Sequence, residues 1–159
     1  MITGDYDLRG PDFETGAALA EFDRLAKRGA NVHEPKERGC SYVYLAVYAV
    51  ADEWLYVKCG KANNPKSRAS SIGTALPGGL TRMVAVRVPL ATAMASEASL
   101  LNAVNGVAGV ASVSGEWFRV PLGAIERVVQ ILEGTGGAKF WVRVSARAFR
   151  PRLVSREAA

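Results

Sequence analysis

The stretch from Ser41 to Val50 alternates without a break, with Val43, Leu45, Val47 and Ala49 on one side and Tyr42, Tyr44, Ala46 and Tyr48 on the other. A period of two is that of a half-buried strand, here with one aliphatic and one phenolic face. Trp54 to Gly60 repeats the scheme, setting Leu55, Val57 and Cys59 against Trp54, Tyr56 and Lys58, and Ala51, Asp52 and Glu53 between them make a turn. The two strands therefore form a hairpin. Keeping both aliphatic sets on one side demands an even register, which places Tyr44 beside Lys58 or Gly60 and Tyr48 beside Tyr56 or Trp54.

Helical spacing governs Phe13 to Arg28, where Phe13, Ala17, Leu19, Phe22, Leu25 and Ala26 are separated by charges and Gly29 closes the run. Residues 65–72 suit a short helix: Asn63 or Asn64 is an N-cap, Pro65 fits the first turn and Gly73 is a terminator. Leu80 to Leu90 reads as a third strand. Ala91 to Val104 reads as a helix with Ala93, Leu100, Leu101 and Val104 inward, and Gly106 to Gly115 as a small-residue loop. A short strand is expected at Glu116 to Val120, a helix at Leu122 to Leu132 and a last strand at Phe140 to Phe149. The chain thus divides into an N-terminal helix with a charged connector (1–39), a mixed domain (40–133) and a basic C-terminal strand and tail (134–159).

Composition narrows the chemistry. With 159 residues, 49% hydrophobic and 22% charged, the chain can bury a core and is neither disordered nor collagenous. The longest uncharged run, Ala98 to Gly115, is interrupted by asparagines, glycines and serines, so no membrane partner is expected; the acidic N-terminus is unlike a secretory signal, and a cytoplasmic location is the expectation. Two cysteines and one histidine cannot by themselves make a Cys/His zinc site. The net charge of +5 is concentrated at the C-terminal end, where Lys139, Arg143, Arg147, Arg150, Arg152 and Arg156 are interleaved with Phe140, Trp141 and Phe149. Arginines among aromatic rings hold phosphates and stack on bases, but such a segment is equally a solvated final strand and tail.

One acid stands out. Between Glu53 and Glu116 the only carboxylate is Glu97, against Lys58, Lys61, Lys66, Arg68, Arg82 and Arg87. Its spacing from Ala93, Leu100, Leu101 and Val104 puts it on the apolar helix face, where an ionised group needs a counter-charge. An ion pair with an arginine and a divalent-metal ligand in a cationic cleft both satisfy that need.

The order of Tyr42-Val43-Tyr44, Val57-Lys58-Cys59-Gly60, the run Lys61 to Arg68 and a glutamate on the next long helix resembles the GIY-YIG endonuclease superfamily. Gly115-Glu116-Trp117-Phe118 looks most like its bacteriophage-associated branch, and Gly60 to Ser71 is similar to the loop and helix of the N-terminal nuclease of the bacterial excision-repair incision subunit. The match spans roughly residues 41–122. The resemblance implies an α/β chain of the α+β type, with a small three-stranded antiparallel sheet flanked by helices. It also implies Mg²⁺ (or Mn²⁺) dependence and hydrolysis of DNA phosphodiesters, by an endonuclease or nickase of phage or mobile-element type.

By the same match Tyr44 takes the first-motif tyrosine, Arg68 the arginine of the first helix and Glu97 the metal-binding glutamate. Lys58 replaces the second-motif tyrosine, with Tyr56 one step away on the same face. Its expected task is to tune the Tyr44 phenol as a base or to hold the water. Leu101 stands where the branch usually has a histidine, and Glu116 is the candidate for the late polar position. Lys61, Lys66, Arg143, Arg147, Arg150 and Arg152 are the expected nucleic-acid contacts. The missing histidine keeps two alternatives open: an inactive nucleic-acid-binding domain with this fold, and a phage accessory protein that binds a protein partner.

Overall fold

A computed structural model describes residues 16–31, 39–49, 51–75 and 81–144. The first helix, α1 (Ala17–Lys27), buries Ala18, Leu19, Phe22, Leu25 and Ala26, a stripe at the helical period. Phe13, expected to begin it, lies outside the described residues. The alternating segments form β1 (Cys40–Ala49) and β2 (Trp54–Ala62), paired antiparallel with Tyr44 opposite Gly60 and Tyr48 opposite Tyr56. Both pairings are among those the even register allows.

The second helix, α2 (Pro65–Ala75), is capped by Asn64, whose Oδ1 accepts the Ser67 N–H at 3.1 Å. It runs through Gly73 instead of stopping there. Next come β3 (Thr81–Pro89), a 3-10 turn at Leu90–Thr92 and α3 (Ala93–Asn105), in which Leu100 is buried and Leu101 only partly so. The supposed loop before Gly115 contains a strand, β4 (Ala111–Ser114), exposed along its whole length. It pairs with β5 (Trp117–Pro121), which a second 3-10 turn joins to α4 (Ile125–Glu133). The last described strand is β6 (Lys139–Val144); the remainder of the expected Phe140–Phe149 strand and the tail, with Arg147, Arg150 and Arg152, lie outside the described residues.

The sheet has six strands in the order β4-β5-β2-β1-β3-β6, and this overturns the expected three-stranded sheet. Strands β2, β1 and β3 form its middle, but β5 pairs with the free edge of β2 and β6 with that of β3. Each pairing satisfies backbone N–H and C=O groups that a three-stranded sheet would leave open. The molecule is α+β, with four helices among the described residues.

The two faces of β1 and β2 have different fates. Val43, Leu45, Val47, Leu55, Val57 and Cys59 join the main core with α1, α3 and α4. Tyr42, Tyr44, Ala46 and Ala62 form a smaller core with Ala69 and Ile72 of α2 and Met83 and Ala85 of β3. Helix α2 packs on β3, β6 and β1, toward one side of this second face.

Candidate functional site

Tyr44 is the hub of the second face. Its side chain lies across Gly60 on the neighbouring strand, so closely that a Cβ built on Gly60 would stand 2.5 Å from the phenol oxygen and 2.7 Å from Cζ. Glycine at position 60 is therefore what lets the ring cross β2. The residue is only 1% exposed. Arg68, exposed on the first turn of α2, acts on the hydroxyl, as do Lys58 and Glu116. Lys58 Nζ donates to Glu116 Oε1 at 2.5 Å, with Lys58 19% exposed and Glu116 43%.

Three of the four expected catalytic side chains thus converge, and Glu116 joins them. Burial holds the Tyr44 phenol above its ordinary value of 10, against the pull of Lys58 and Arg68. The two cations were expected to lower it toward a usable base; they pull in that direction, but desolvation outweighs them. At neutral pH the phenol keeps its proton.

Glu97 is placed differently. It lies on α3, which packs on the aliphatic face of the sheet, and it contributes to the field at Cys59, on the opposite face of β2 from Lys58. Glu116, Lys58 and Glu97 all act on the Cys59 thiol, which places Glu97 near this stretch of β2. Among the described residues Glu97 is half-buried and makes no ion pair, which sets aside the structural arginine bridge within that set. No group of three or more His, Cys, Asp or Glu side chains suited to a metal is present among the described residues. A lone carboxylate is the donor type that Mg²⁺ and Mn²⁺ take, hard ions that keep several waters, and does not fit a structural zinc.

The remaining cations divide between the faces. Lys66 is exposed on α2, two residues before Arg68, whereas Lys61 pairs with Val43 and so faces the aliphatic side. Arg143 pairs with Arg82 on β3, also on the side of α1, away from Arg68. Arg82 is 5% exposed and is consumed by a bridge to Asp23 on α1, Nε to Oδ2 at 3.2 Å, while Lys139 donates to Glu133 and to the Leu25 carbonyl. Arg82 and Lys139 hold α1 and α4 to the sheet and do not line a cleft.

Sequence reading missed the open end of the second face. Tyr48 and Tyr56 stand opposite each other, and with Val113, Ser114 and Trp117 they line a hollow of about 230 Å³. Trp54 packs edge-on against Tyr56 at 4.9 Å, and the Arg119 guanidinium lies 4.4 Å above the Trp54 ring. Of the two adjacent aromatics on β5, Phe118 is buried in the main core, but Trp117 points to the other side and is only half-buried. Strict alternation from Phe118 was the available signal. Two larger open hollows, about 570 and 540 Å³, flank the α3–α4 contact and include neither Tyr44 nor Glu97.

No helix among the described residues is long and apolar enough to cross a membrane. Comparison of the chain with protein-family models, with curated proteins and with solved structures gives no match.

Proposed function

We propose that this protein is a divalent-metal-dependent endonuclease or nickase that hydrolyses DNA phosphodiester bonds, of the GIY-YIG type that phages and mobile elements carry. The observation that supports it best is the arrangement of Arg68, Tyr44 and Lys58: an exposed guanidinium and an ammonium that both act on a buried phenol, which lies over a glycine floor. Two cations held on one side of a sheet suit the non-bridging oxygens of a phosphate, and their hydrogen bonds strengthen as charge grows in the transition state. Arg68 grips the phosphate. Tyr44 stands beside it, and because the phenol keeps its proton at neutral pH it can donate to a phosphate oxygen. Lys58, restrained by Glu116, supplies the second positive charge. Glu97 is the residue that would hold a Mg²⁺ or Mn²⁺ ion, whose chemistry there would be Lewis-acid stabilisation of the leaving oxygen.

Nicking of supercoiled plasmid with Mg²⁺ or Mn²⁺ tests the reading. Wild type should nick, Arg68→Ala and Glu97→Ala should not, and Tyr44→Phe should lose activity while staying folded. A folded wild type that leaves plasmid intact with either metal, or an Arg68→Ala protein that cuts at the wild-type rate, refutes it. One observation favours a second reading, binding without cleavage: Glu97 sits on α3, which packs on the aliphatic face of the sheet, whereas Tyr44 belongs to the phenolic face. That reading predicts salt-sensitive DNA binding, unchanged in Glu97→Ala, with no cutting by wild type.

A further inference from the structure

We infer that the open half of the phenolic face is a stacking platform for the bases of single-stranded nucleic acid, which deepens the nuclease reading, and rests on it, by naming the form of the substrate. Cross-strand register sets the platform in rows. Tyr48, Tyr56 and Arg119 stand side by side across β1, β2 and β5; Ala46, Lys58, Trp117 and Ser114 make the next row; Tyr44 and Gly60 make the one beyond. Successive rows are two residues apart, about 7 Å along the strands. Aromatic rings are thus presented one row from Lys58 and two from the Tyr44–Arg68 pair.

The charges suit a polyanion. Arg119 is exposed on the ring of Trp54, and Arg68 and Lys66 are exposed on α2. Lys58 offsets the acid next to it, Glu116. The acids Asp52 and Glu53 stand at the β1–β2 turn, past Trp54 and at the far end from Arg68. The platform itself is apolar and partly open: Val113 is 50% exposed, and Trp54, Tyr56 and Trp117 are each half-buried. Sheet aromatics that stack unpaired bases, with arginine alongside, are a recurrent solution for single strands, whereas paired bases hide their faces from such a surface. A strand lying along β2 would stack bases on Tyr56 and Trp117 and bring the adjoining phosphate to Lys58 and Arg68.

The test is anisotropy of an end-labelled oligothymidylate of about 12 nucleotides, within the span of known single-strand sites, against its duplex with oligodeoxyadenylate. Chelator is present so that nothing is cut. Oligothymidylate should bind at least about 10-fold more tightly than the duplex. Tyr56→Leu and Trp117→Leu should each weaken it by about 5- to 150-fold, the usual worth of one stacked base, and Tyr56→Phe should restore it. Should a leucine variant not fold, quenching of wild-type tryptophan fluorescence by oligothymidylate gives the answer, since Trp54 and Trp117 lie on the platform and Trp141 on the other face. Equal binding of duplex, undiminished binding by folded leucine variants, absence of quenching, or self-association abolished by the leucine substitutions would overturn the inference, the last by assigning the face to a second copy. Ring-dependent strand binding without nicking in the plasmid assay sinks only the nuclease reading; nicking without ring-dependent binding sinks only this one.

Discussion

Replacing Gly60 by alanine isolates the contact that organises the site. Gly60 is absent from the left-handed glycines, which among the described residues are Gly29, Gly39, Gly109 and Gly115, so an alanine there meets no backbone strain. At such positions alanine ordinarily stabilises by about 0.4–1 kcal/mol, through the unfolded chain. Here its Cβ would lie 2.5 Å from the Tyr44 hydroxyl oxygen and 2.7 Å from Cζ, where about 3.5 Å is comfortable. The ring must therefore move by about 1 Å, and Ala69, Ile72, Met83 and Ala85 belong to the same small core. Overpacking of this kind costs about 1–3 kcal/mol, which exceeds the alanine gain.

The net expectation is a loss of about 1–2 kcal/mol, or about 3–6 °C in Tm for a chain of this length. Thermal unfolding followed by circular dichroism measures it. Gly123→Ala, where nothing lies within 4 Å of the added Cβ, is the control and should lose nothing. A displaced ring also changes its burial and its distance from Lys58 and Arg68, so the phenol titration, obtained by subtracting the Tyr44→Phe curve, should shift with it. A Gly60→Ala protein as stable as wild type, with an unaltered Tyr44 titration, would refute the argument that the glycine is there for the ring.

The other consequences are separate. Arg82→Met leaves the Asp23 carboxylate partly buried, with an Oδ1 that already lacks a partner among the described residues, and should cost about 3–5 kcal/mol by denaturant unfolding; adding Asp23→Leu should recover most of it. Burial, against the pull of Arg82, raises the Asp23 carboxyl above its ordinary value, so the folded chain binds that proton first and the Arg82→Met deficit should shrink as pH falls toward 4; a deficit that grows would contradict this. The Cys59 thiol is pushed up to about 12 by burial, with Glu116 and Glu97 adding and Lys58 opposing. Its stabilising contribution is present below about pH 9, where the unfolded thiol begins to ionise, and is lost toward pH 12; Cys59→Ala should flatten that alkaline limb, and a thiol reagent should reach Cys59 only on unfolding. Glu116→Gln removes a charge that raises the Tyr44 phenol, so the Tyr44 titration should move down; an upward shift would mean that Glu116 acts chiefly by holding Lys58.

What the chain settled by itself is which way its side chains face. Alternation in 41–50 and 54–60 separates an aliphatic from a phenolic side because strand geometry turns every second residue over, and the even register follows from keeping one side dry. The pairing of Tyr44 with Gly60, the amphipathic α1 and the buried stripe of α4 are legible for the same local reason. Tertiary structure decided what those faces meet. The added edges β5 and β6 arise from backbone hydrogen bonds, which leave little mark on side-chain pattern, and β4 is an exposed edge strand of small residues. Partnerships across long loops are equally silent: Lys58 with Glu116, Arg82 with Asp23, and Glu97 near Cys59. Even the direction in which the Tyr44 phenol shifts came from packing, since the sequence announces the nearby cations but not the depth of burial that outweighs them.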